Sequence, residues 1–419
     1  MLVRRPELPK TGRDVRPGLR RVRCRGFSHA TSRHISRMPN EVGNDNMPVW
    51  AAGQKEGSRF TPLTTNIDAD VCVVGLGGSG LACIAELLSL GVPANRVVGI
   101  DAYAVGAGAA GRNGGFLLAG IADFYHDAIK QFGHERSRRL YQLTVEQIDV
   151  MTRETPEAIR RTGSLRIASS KEELLDCEEH LDALRTDAFP AEPYEGAEGR
   201  GLLVPTDCAF DPLRRCHALA CHLADAGARL FEQTQAIAIE SGEVVTSEGR
   251  VRCDRVVIAV DGRLTEVVPE LASRARPVRL QMLATAPTSE ISVPRPVYAR
   301  WGYEYWQQLE DGRLLLGGFR DRAGDSEWTD VATPSTSVQE MLESFLRDGL
   351  HVSAPITHRW AATVSYSTKG LPLLEEVRPG VIATGAYSGT GNVLGAVCGR
   401  GAARLALGER AEIADLLAA

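Results

Sequence analysis

The run Gly75-Leu76-Gly77-Gly78-Ser79-Gly80 sits between two apolar segments of different periodicity. Before it, Val71-Cys72-Val73-Val74 is a short unbroken apolar run, the mark of a buried strand. After it, Leu81, Ile84, Ala85 and Leu88 recur at helical spacing, and Gly91 stops the pattern. Residues 97–100 form a second apolar strand ending in Asp101, 21 residues after Gly80. Strand, glycine turn, helix and strand in that order predict a βαβ unit. The three spaced glycines play different parts. Gly75 permits the tight turn, Gly77 lets backbone approach a pyrophosphate, and Gly80 lets helix and strand pack closely. Gly78 and Ser79 open the helix, whose free N–H groups and positive partial charge face phosphate. Asp101, with Ala102 beside it, stands where a carboxylate binds ribose hydroxyls, and an acid there favours NAD or FAD over a phosphorylated ribose. A glycine turn without a ligand would leave Asp101 unexplained.

Composition sets the outer limits. At 419 residues, 43% hydrophobic and 24% charged, the chain reads as a soluble globular protein of two to three domains. No apolar run reaches about 18 residues without Gly or charge, so no membrane span is expected. The net charge of −5 averages two unlike pieces. Residues 1–37 hold 11 basic and 2 acidic residues, whereas the remainder holds 37 and 51. An acidic body argues against nucleic acid as a partner. The basic tail reads as transit-peptide-like, as a polyanion-binding arm, or as a disordered stretch upstream of a start at Met38 or Met47. The last of these, with a cytoplasmic location, is the expectation. Nine scattered cysteines without a CxxC pair fit reduced thiols. Cys216-His217 and Cys221-His222 match no four-ligand zinc spacing, so no metal is expected.

The pattern along the chain predicts an α/β fold: a Rossmann-like dinucleotide-binding domain with a second, mainly antiparallel-sheet domain. Residues 1–66 are expected to be a disordered basic extension. The binding domain is placed at 67–160, 201–262 and 366–419, and the second domain at 161–200 and 263–365. Asp211-Pro212 signals a helix start, and Gly227 ends that helix. Tyr298–Leu309 and Arg313–Phe319 flank Asp311-Gly312, a hairpin turn. Unbroken alternation would put Trp301, Tyr303 and Tyr305 on one face, with Arg300, Glu304 and Trp306 on the other.

Three further motifs decide between dinucleotides. Gly106–Gly115 holds Gly111-Arg112-Asn113-Gly114-Gly115; Ala259-Val260-Asp261-Gly262 ends a third strand; and Gly385, Ser388, Gly389, Thr390, Gly391 and Asn392 lie in a loop that opens a C-terminal helix. Together with the βαβ unit they resemble the FAD-dependent amine and amino-acid oxidoreductases of the glycine oxidase/D-amino-acid oxidase superfamily, in particular its γ-glutamylputrescine oxidoreductase-like branch. The resemblance covers about residues 68–410. It implies that these residues, with Ala236, hold FAD. A second glycine-rich helix start, far from the first in sequence, suits an extended FAD, because its dipole stabilises the negative charge that develops on a reduced flavin. An NAD dehydrogenase would not need that loop, yet it remains the alternative on the βαβ unit alone, as does a non-catalytic flavoprotein subunit of a larger dehydrogenase.

The resemblance implies oxidation of a C–N bond in an amine or amino acid. Hydride leaves the carbon beside a neutral amine for flavin N5, and the imine then hydrolyses, with oxygen or an electron carrier as final acceptor. The cofactor carries the hard step, so no obligate catalytic side chain is expected. Tyr303, Tyr305 and Trp301 face the substrate if their side of the hairpin is the inner one, and Trp306 if the other is. Tyr366, Tyr387 and Arg320 complete the candidate pocket, an aromatic setting that holds an alkyl amine by apolar and cation–π contact. The same rings could equally be core. Relatives attach FAD through a cysteine in the register of Ser365, so FAD is expected to be non-covalent. Charged substrate- or oxygen-handling groups of relatives fall at Val393, Leu315 and Val364. A free α-carboxylate thus lacks its usual anchors unless Arg300, Arg320 or Arg359 replaces them.

Overall fold

Two eight-stranded sheets carry the molecule. The structure, a computed structural model, describes residues 46–52 and 59–418. In the first sheet, Ile67–Val74 pairs in parallel with Val97–Ile100 on one side and Arg250–Ile258 on the other. Arg229–Phe231 extends one edge in parallel. Arg250–Ile258 serves two neighbours on its far side: its first half pairs antiparallel with Glu243–Thr246, and its end pairs in parallel with Val381–Gly385. Apolar side chains cover both faces of this sheet, as unbroken runs such as Val256-Val257-Ile258 require.

The helices Gly78–Ser89 and Leu394–Ala406 pack on one another against this sheet. Contact is backbone to backbone: a Cβ on Gly399 would lie 2.1 Å from the Ser79 carbonyl oxygen. The helix Pro212–Asp225 starts as expected, with the Asp211 carboxylate accepting from the Arg214 N–H at 2.9 Å.

The second sheet runs in spatial order Ile356–Ser367, Ala275–Pro287, Arg313–Gly318, Glu304–Gln308, Val297–Ala299, Ser164–Ile167, Gly199–Val204 and Glu192–Gly196. Only the pair Val297–Ala299 with Ser164–Ile167 is parallel. Gly199–Val204 therefore belongs to this sheet, and the expected boundary at 201, which gave it to the nucleotide side, is corrected. Residues 1–45 and 53–58 lie outside the described residues, but the rest of the expected extension includes packed positions. Val49–Ala51 is a turn of 3₁₀ helix with Val49 and Trp50 buried, and Leu63 is buried with its N–H bonded to Thr234. Apolar burial of these few residues was hidden by the polar stretch around them.

The hairpin differs from unbroken alternation as well. Arg300 and Trp301 adopt left-handed backbone conformations, φ 52° and 53°, and turn the chain between Val297–Ala299 and Glu304–Gln308. Arg300 is fixed there by Glu304 at 2.6 Å and Asp321 at 2.8 Å, while Trp301 is bonded through its backbone to Glu173 and through its indole to Asp176. Trp301 thus leaves the face assigned to it and points outward. The second turn forms as expected at Asp311-Gly312, with Gly312 at φ 84°.

Candidate functional site

A cleft of about 1080 Å³ runs along the ends of the first sheet's parallel strands. That is the upper end of the size range of small-molecule and cofactor sites, and the carboxyl ends of parallel strands are where α/β sheets bind ligands. Its floor at one end is the first glycine turn. Gly75 has φ 102°, and a Cβ there would meet the Ala259 carbonyl at 2.5 Å, so the turn and the neighbouring strand close on each other as only glycine allows. Gly77, Gly78 and Ser79 line the cleft, and Gly77 caps the helix N-terminus. Gly80 is turned inward against Gly75, the packing role its spacing predicts.

Asp101 and Ala102 line the same end. The Asp101 carboxylate accepts from the Leu76 N–H at 2.8 Å and the Tyr103 N–H at 2.9 Å. Burial raises its pKa, and those two backbone donors act the other way. It therefore ties the glycine turn to the second strand while keeping lone pairs for a ligand. Around it stand Tyr103 and Ile237, 56% and 65% exposed, whose apolar surfaces both line the cleft. Neither was picked out from the sequence, because an exposed aromatic or aliphatic residue has no signature until its neighbours are known. Ala236, Ala259 and Gly262 line the cleft as expected.

At the other end the Gly111–Gly115 motif meets the C-terminal loop. Asn113 donates to the carbonyls of Ala109 and Ala110, and its side-chain oxygen accepts from Gly115 N–H at 2.9 Å and Asn392 Nδ2 at 3.1 Å. Asn392 also donates to the Phe116 carbonyl. Arg112 donates to the Ala361 carbonyl at 3.0 Å and to the Asn46 side chain at 2.8 Å, and burial pulls its pKa down. Trp50 and Trp360 donate to the carbonyls of Asn113 and Arg112. Arg112, Asn113, Gly389, Gly391 and Asn392 line the cleft. Gly111, Gly114, Gly115, Gly385, Ser388 and Thr390 do not. They shape the loops instead: Ser388 accepts from the Ser367 N–H, and Thr390 donates to the Tyr387 carbonyl.

Asp261 stands beside the C-terminal loop. It lines the cleft, and its two carboxylate oxygens accept from the Ser365 N–H at 3.2 Å and the Ala386 N–H at 2.7 Å. The Ser365 hydroxyl donates to the Asp261 carbonyl at 2.7 Å. Burial pushes the carboxyl up to about 6 despite its backbone donors.

The aromatic candidates separate into two groups. Tyr305 and Tyr298 stack at 5.6 Å with Phe116 edge-on to both. A Cβ on Gly114 would touch the Tyr305 ring at 3.3 Å, which places this stack beside the glycine motif. Arg320 lies 4.4 Å from the Tyr366 ring and 5.2 Å from that of Tyr303, and Tyr366 is in contact with Gly389. Trp306 points the other way, buried against Phe345 in the core, so its alternative as a pocket residue is corrected. Tyr387 is also packed in the nucleotide-side core, although its edge reaches the cleft. Of the three candidate arginines, Arg300 is held by Glu304 and Asp321, and Arg359 by Glu343 at 2.5 Å. Arg320 alone has no ion pair among the described residues.

Residues 70–405 match the family described as DAO: FAD dependent oxidoreductase. The chain belongs to this family. It is an FAD-dependent oxidoreductase with the DAO fold, and the resemblance seen in its motifs holds. It is 29% identical over 378 residues to a probable oxidoreductase, OrdL, of Rhizobium meliloti, covering 83% of this chain and 85% of that one. It is 27% identical over 390 residues to the gamma-glutamylputrescine oxidoreductase of Escherichia coli, covering 86% and 88%. Glycine oxidase from Geobacillus kaustophilus superposes with a TM-score of 0.66 at 20% identity, over 82% of this chain and 96% of that one. The cleft fits the family's dinucleotide: it has glycine turns at both ends and Asp101 beside the first of them. No helix among the described residues is long and apolar enough to cross a membrane.

Proposed function

We propose that this protein oxidises the C–N bond of an amine whose reacting nitrogen is not that of a free α-amino acid. The observation that carries this reading is one cleft with two glycine loops and, beside its far loop, tyrosine rings whose neighbouring arginine, Arg320, is covered by the Tyr366 and Tyr303 rings. FAD would lie with its pyrophosphate at Gly77–Ser79, its adenosine between Asp101, Tyr103 and Ile237, and its flavin toward Gly389–Asn392. Bound there, it supplies the acceptor for hydride from the carbon beside the amine. The chain's own residues do the rest. Asn113 and Asn392 bridge the two loops and fix the floor of the flavin end. Tyr305, Tyr303 and Tyr366 offer ring surface to an alkyl amine and exclude water. Arg300 and Arg359 are occupied by carboxylates of the protein and Arg320 lies over the Tyr366 and Tyr303 rings, which supports a substrate without an α-carboxylate at that position.

Ser365 has no sulfur to offer and spends its hydroxyl on Asp261, which supports non-covalent FAD. The described cysteines are all free of disulfides, consistent with a reducing, cytoplasmic setting. The purified protein should be yellow, and acid precipitation should release FAD into the supernatant; colour left on the polypeptide would contradict non-covalent binding. An anaerobic panel of amines and α-amino acids, read by flavin bleaching, tests the substrate class. Bleaching by α-amino acids alone would sink the proposal. Repeating the panel with oxygen separates oxidase from dehydrogenase.

A further inference from the structure

Residues 46–50, ahead of the first strand, are laced into the far end of the cleft. Asn46 lines the cleft and joins three separate pieces of chain. Its side-chain oxygen accepts from Arg112 Nη2 at 2.8 Å and from the Ala361 N–H at 2.9 Å, and its Nδ2 donates to the Ala332 carbonyl at 2.6 Å. Its own carbonyl accepts from the same Arg112 nitrogen. Its backbone is left-handed, φ 60°, a conformation asparagine adopts more readily than most residues. Four residues on, the buried Trp50 donates from its indole to the Asn113 carbonyl at 2.8 Å, and its ring stands 3.0 Å from where a Cβ on Gly115 would lie. The family match begins at residue 70, so this segment lies ahead of it.

The segment holds a cation that has no anion. Arg112 donates from Nε to the Ala361 carbonyl at 3.0 Å and from Nη2 to two oxygens of Asn46, all neutral acceptors. Asn46 and Ala361 also bond each other, so the three residues close a ring. Among the described residues Arg112 makes no ion pair and its Nη1 has no partner, which leaves that nitrogen to the cleft that Arg112 lines. Asp261 lines the same cleft, but the Ser365 and Ala386 N–H groups engage its carboxylate. Burial pulls the guanidinium's pKa down with no acid to oppose it. A buried charge with only neutral partners is costly, and an anion beside it offsets that cost. A flavin that takes up a hydride, with its electron pair, gains one negative charge, while the amine that gave it becomes an iminium. A fixed cation in a site closed to water favours that charged form.

We propose that Arg112 is the fixed cation that favours the reduced flavin, and that Asn46 is the residue that positions it. The inference rests on the placement of the flavin toward Gly389–Asn392 and not on the identity of the amine. Asn113, next to Arg112 in the chain, bonds Asn392 of that loop at 3.1 Å, which brings the cation to the flavin end. The segment ahead of the dinucleotide fold thereby takes part in setting the flavin's readiness to accept electrons. Through the Ala332 carbonyl it also ties down the stretch 330–332 that lines the cleft.

Two measurements on the holoenzyme test this without substrate. One is the equilibrium of the bound flavin with a redox dye. The other is the affinity for sulfite, whose sulfur lone pair bonds to N5 of oxidised flavin and leaves a negative charge on the ring. Arg112→Met should shift the dye equilibrium toward oxidised flavin by about 10-fold, or about 30 mV for two electrons, and weaken sulfite binding by a similar factor. Arg112→Lys keeps the charge and should recover most of both. Asn46→Ala should shift both by about 3-fold in wild type and leave both unmoved in Arg112→Met, because it acts through that cation. If Arg112→Met does not retain FAD, Asn46→Ala and Arg112→Lys carry the test, and an unmoved potential in Asn46→Ala overturns the proposal. It is equally overturned by an unmoved potential in Arg112→Met, by equal losses in Arg112→Met and Arg112→Lys, or by equal Asn46→Ala shifts in both backgrounds. Weaker FAD binding by the Arg112→Met apoprotein with the potential unmoved would assign the cation to the phosphates instead, and overturns it too. If no amine bleaches the flavin while these shifts occur as stated, the amine-oxidation reading fails and the role of Arg112 stands.

Discussion

Two carboxylates, Asp101 and Asp261, hold the cleft's two glycine loops by their backbone N–H groups, and both line the cleft. Asp101 faces the cleft and bonds Leu76 and Tyr103. Replacing it by Ala removes a ribose acceptor and frees two turn amides, so FAD retention should fall about 10-fold or more, measured by flavin remaining after dialysis. Unchanged retention would remove it from the binding site. Desolvation raises the pKa of Asp261 to about 6. The unfolded chain titrates it near 3.9. Between those values the folded state binds more protons than the unfolded, so this group costs stability as pH rises from about 4 to about 6, and the cost is complete above that. A rise of about two units corresponds to roughly 3 kcal/mol. Asp261→Asn should therefore flatten the change in urea midpoint between pH 4.5 and 7 relative to wild type. A slope equal to wild type would mean the carboxylate is not charged by unfolding in that window.

At the scale of elements, the site depends on two helices meeting at their glycines. Gly399→Ala would drive a methyl group into the Ser79 carbonyl, with 2.1 Å available, and must push Leu394–Ala406 off Gly78–Ser89. Overpacking of this kind costs about 1–3 kcal/mol. Because each helix start carries one glycine loop of the cleft, melting temperature and FAD occupancy should fall together; loss of one without the other would separate packing from the site. The βαβ unit, its acid and both glycine loops were legible in the sequence, because each is a local pattern of spacing. What was not legible is what long-range contacts decide. Asn46 and Trp50 sit in a polar, patternless stretch, yet they bond Arg112 and Asn113 across more than sixty residues. Asn46→Ala removes the side-chain oxygen that accepts from Arg112 and from the Ala361 N–H, and a drop of about 1–3 kcal/mol in stability is expected from chemical denaturation. The face of the hairpin is ambiguous in the sequence because nothing local shows that Arg300 and Trp301 break its alternation.

For the whole molecule, charge sets how a substrate arrives. Beyond residue 37 the chain holds 51 acidic and 37 basic residues, so a cationic amine approaches an attractive field. A primary alkyl amine is protonated in neutral solution, as lysine is. It should therefore be steered inward and give up its proton on binding, since only the neutral amine can release hydride. Steering acts on encounter and is screened by salt, whereas chemistry in the closed site is not. For pentylamine, kcat/KM should fall several-fold between about 10 mM and about 0.5 M salt with little change in kcat. The ω-amino acid with the same carbon chain carries no net charge in solution. Its long-range steering is weak, and its capture relies on short-range contacts in the site. Its kcat/KM should consequently depend less on salt at low concentration than that of pentylamine. Equal slopes for the two would mean that the acidic body does not guide substrate and that selection rests on the cleft alone.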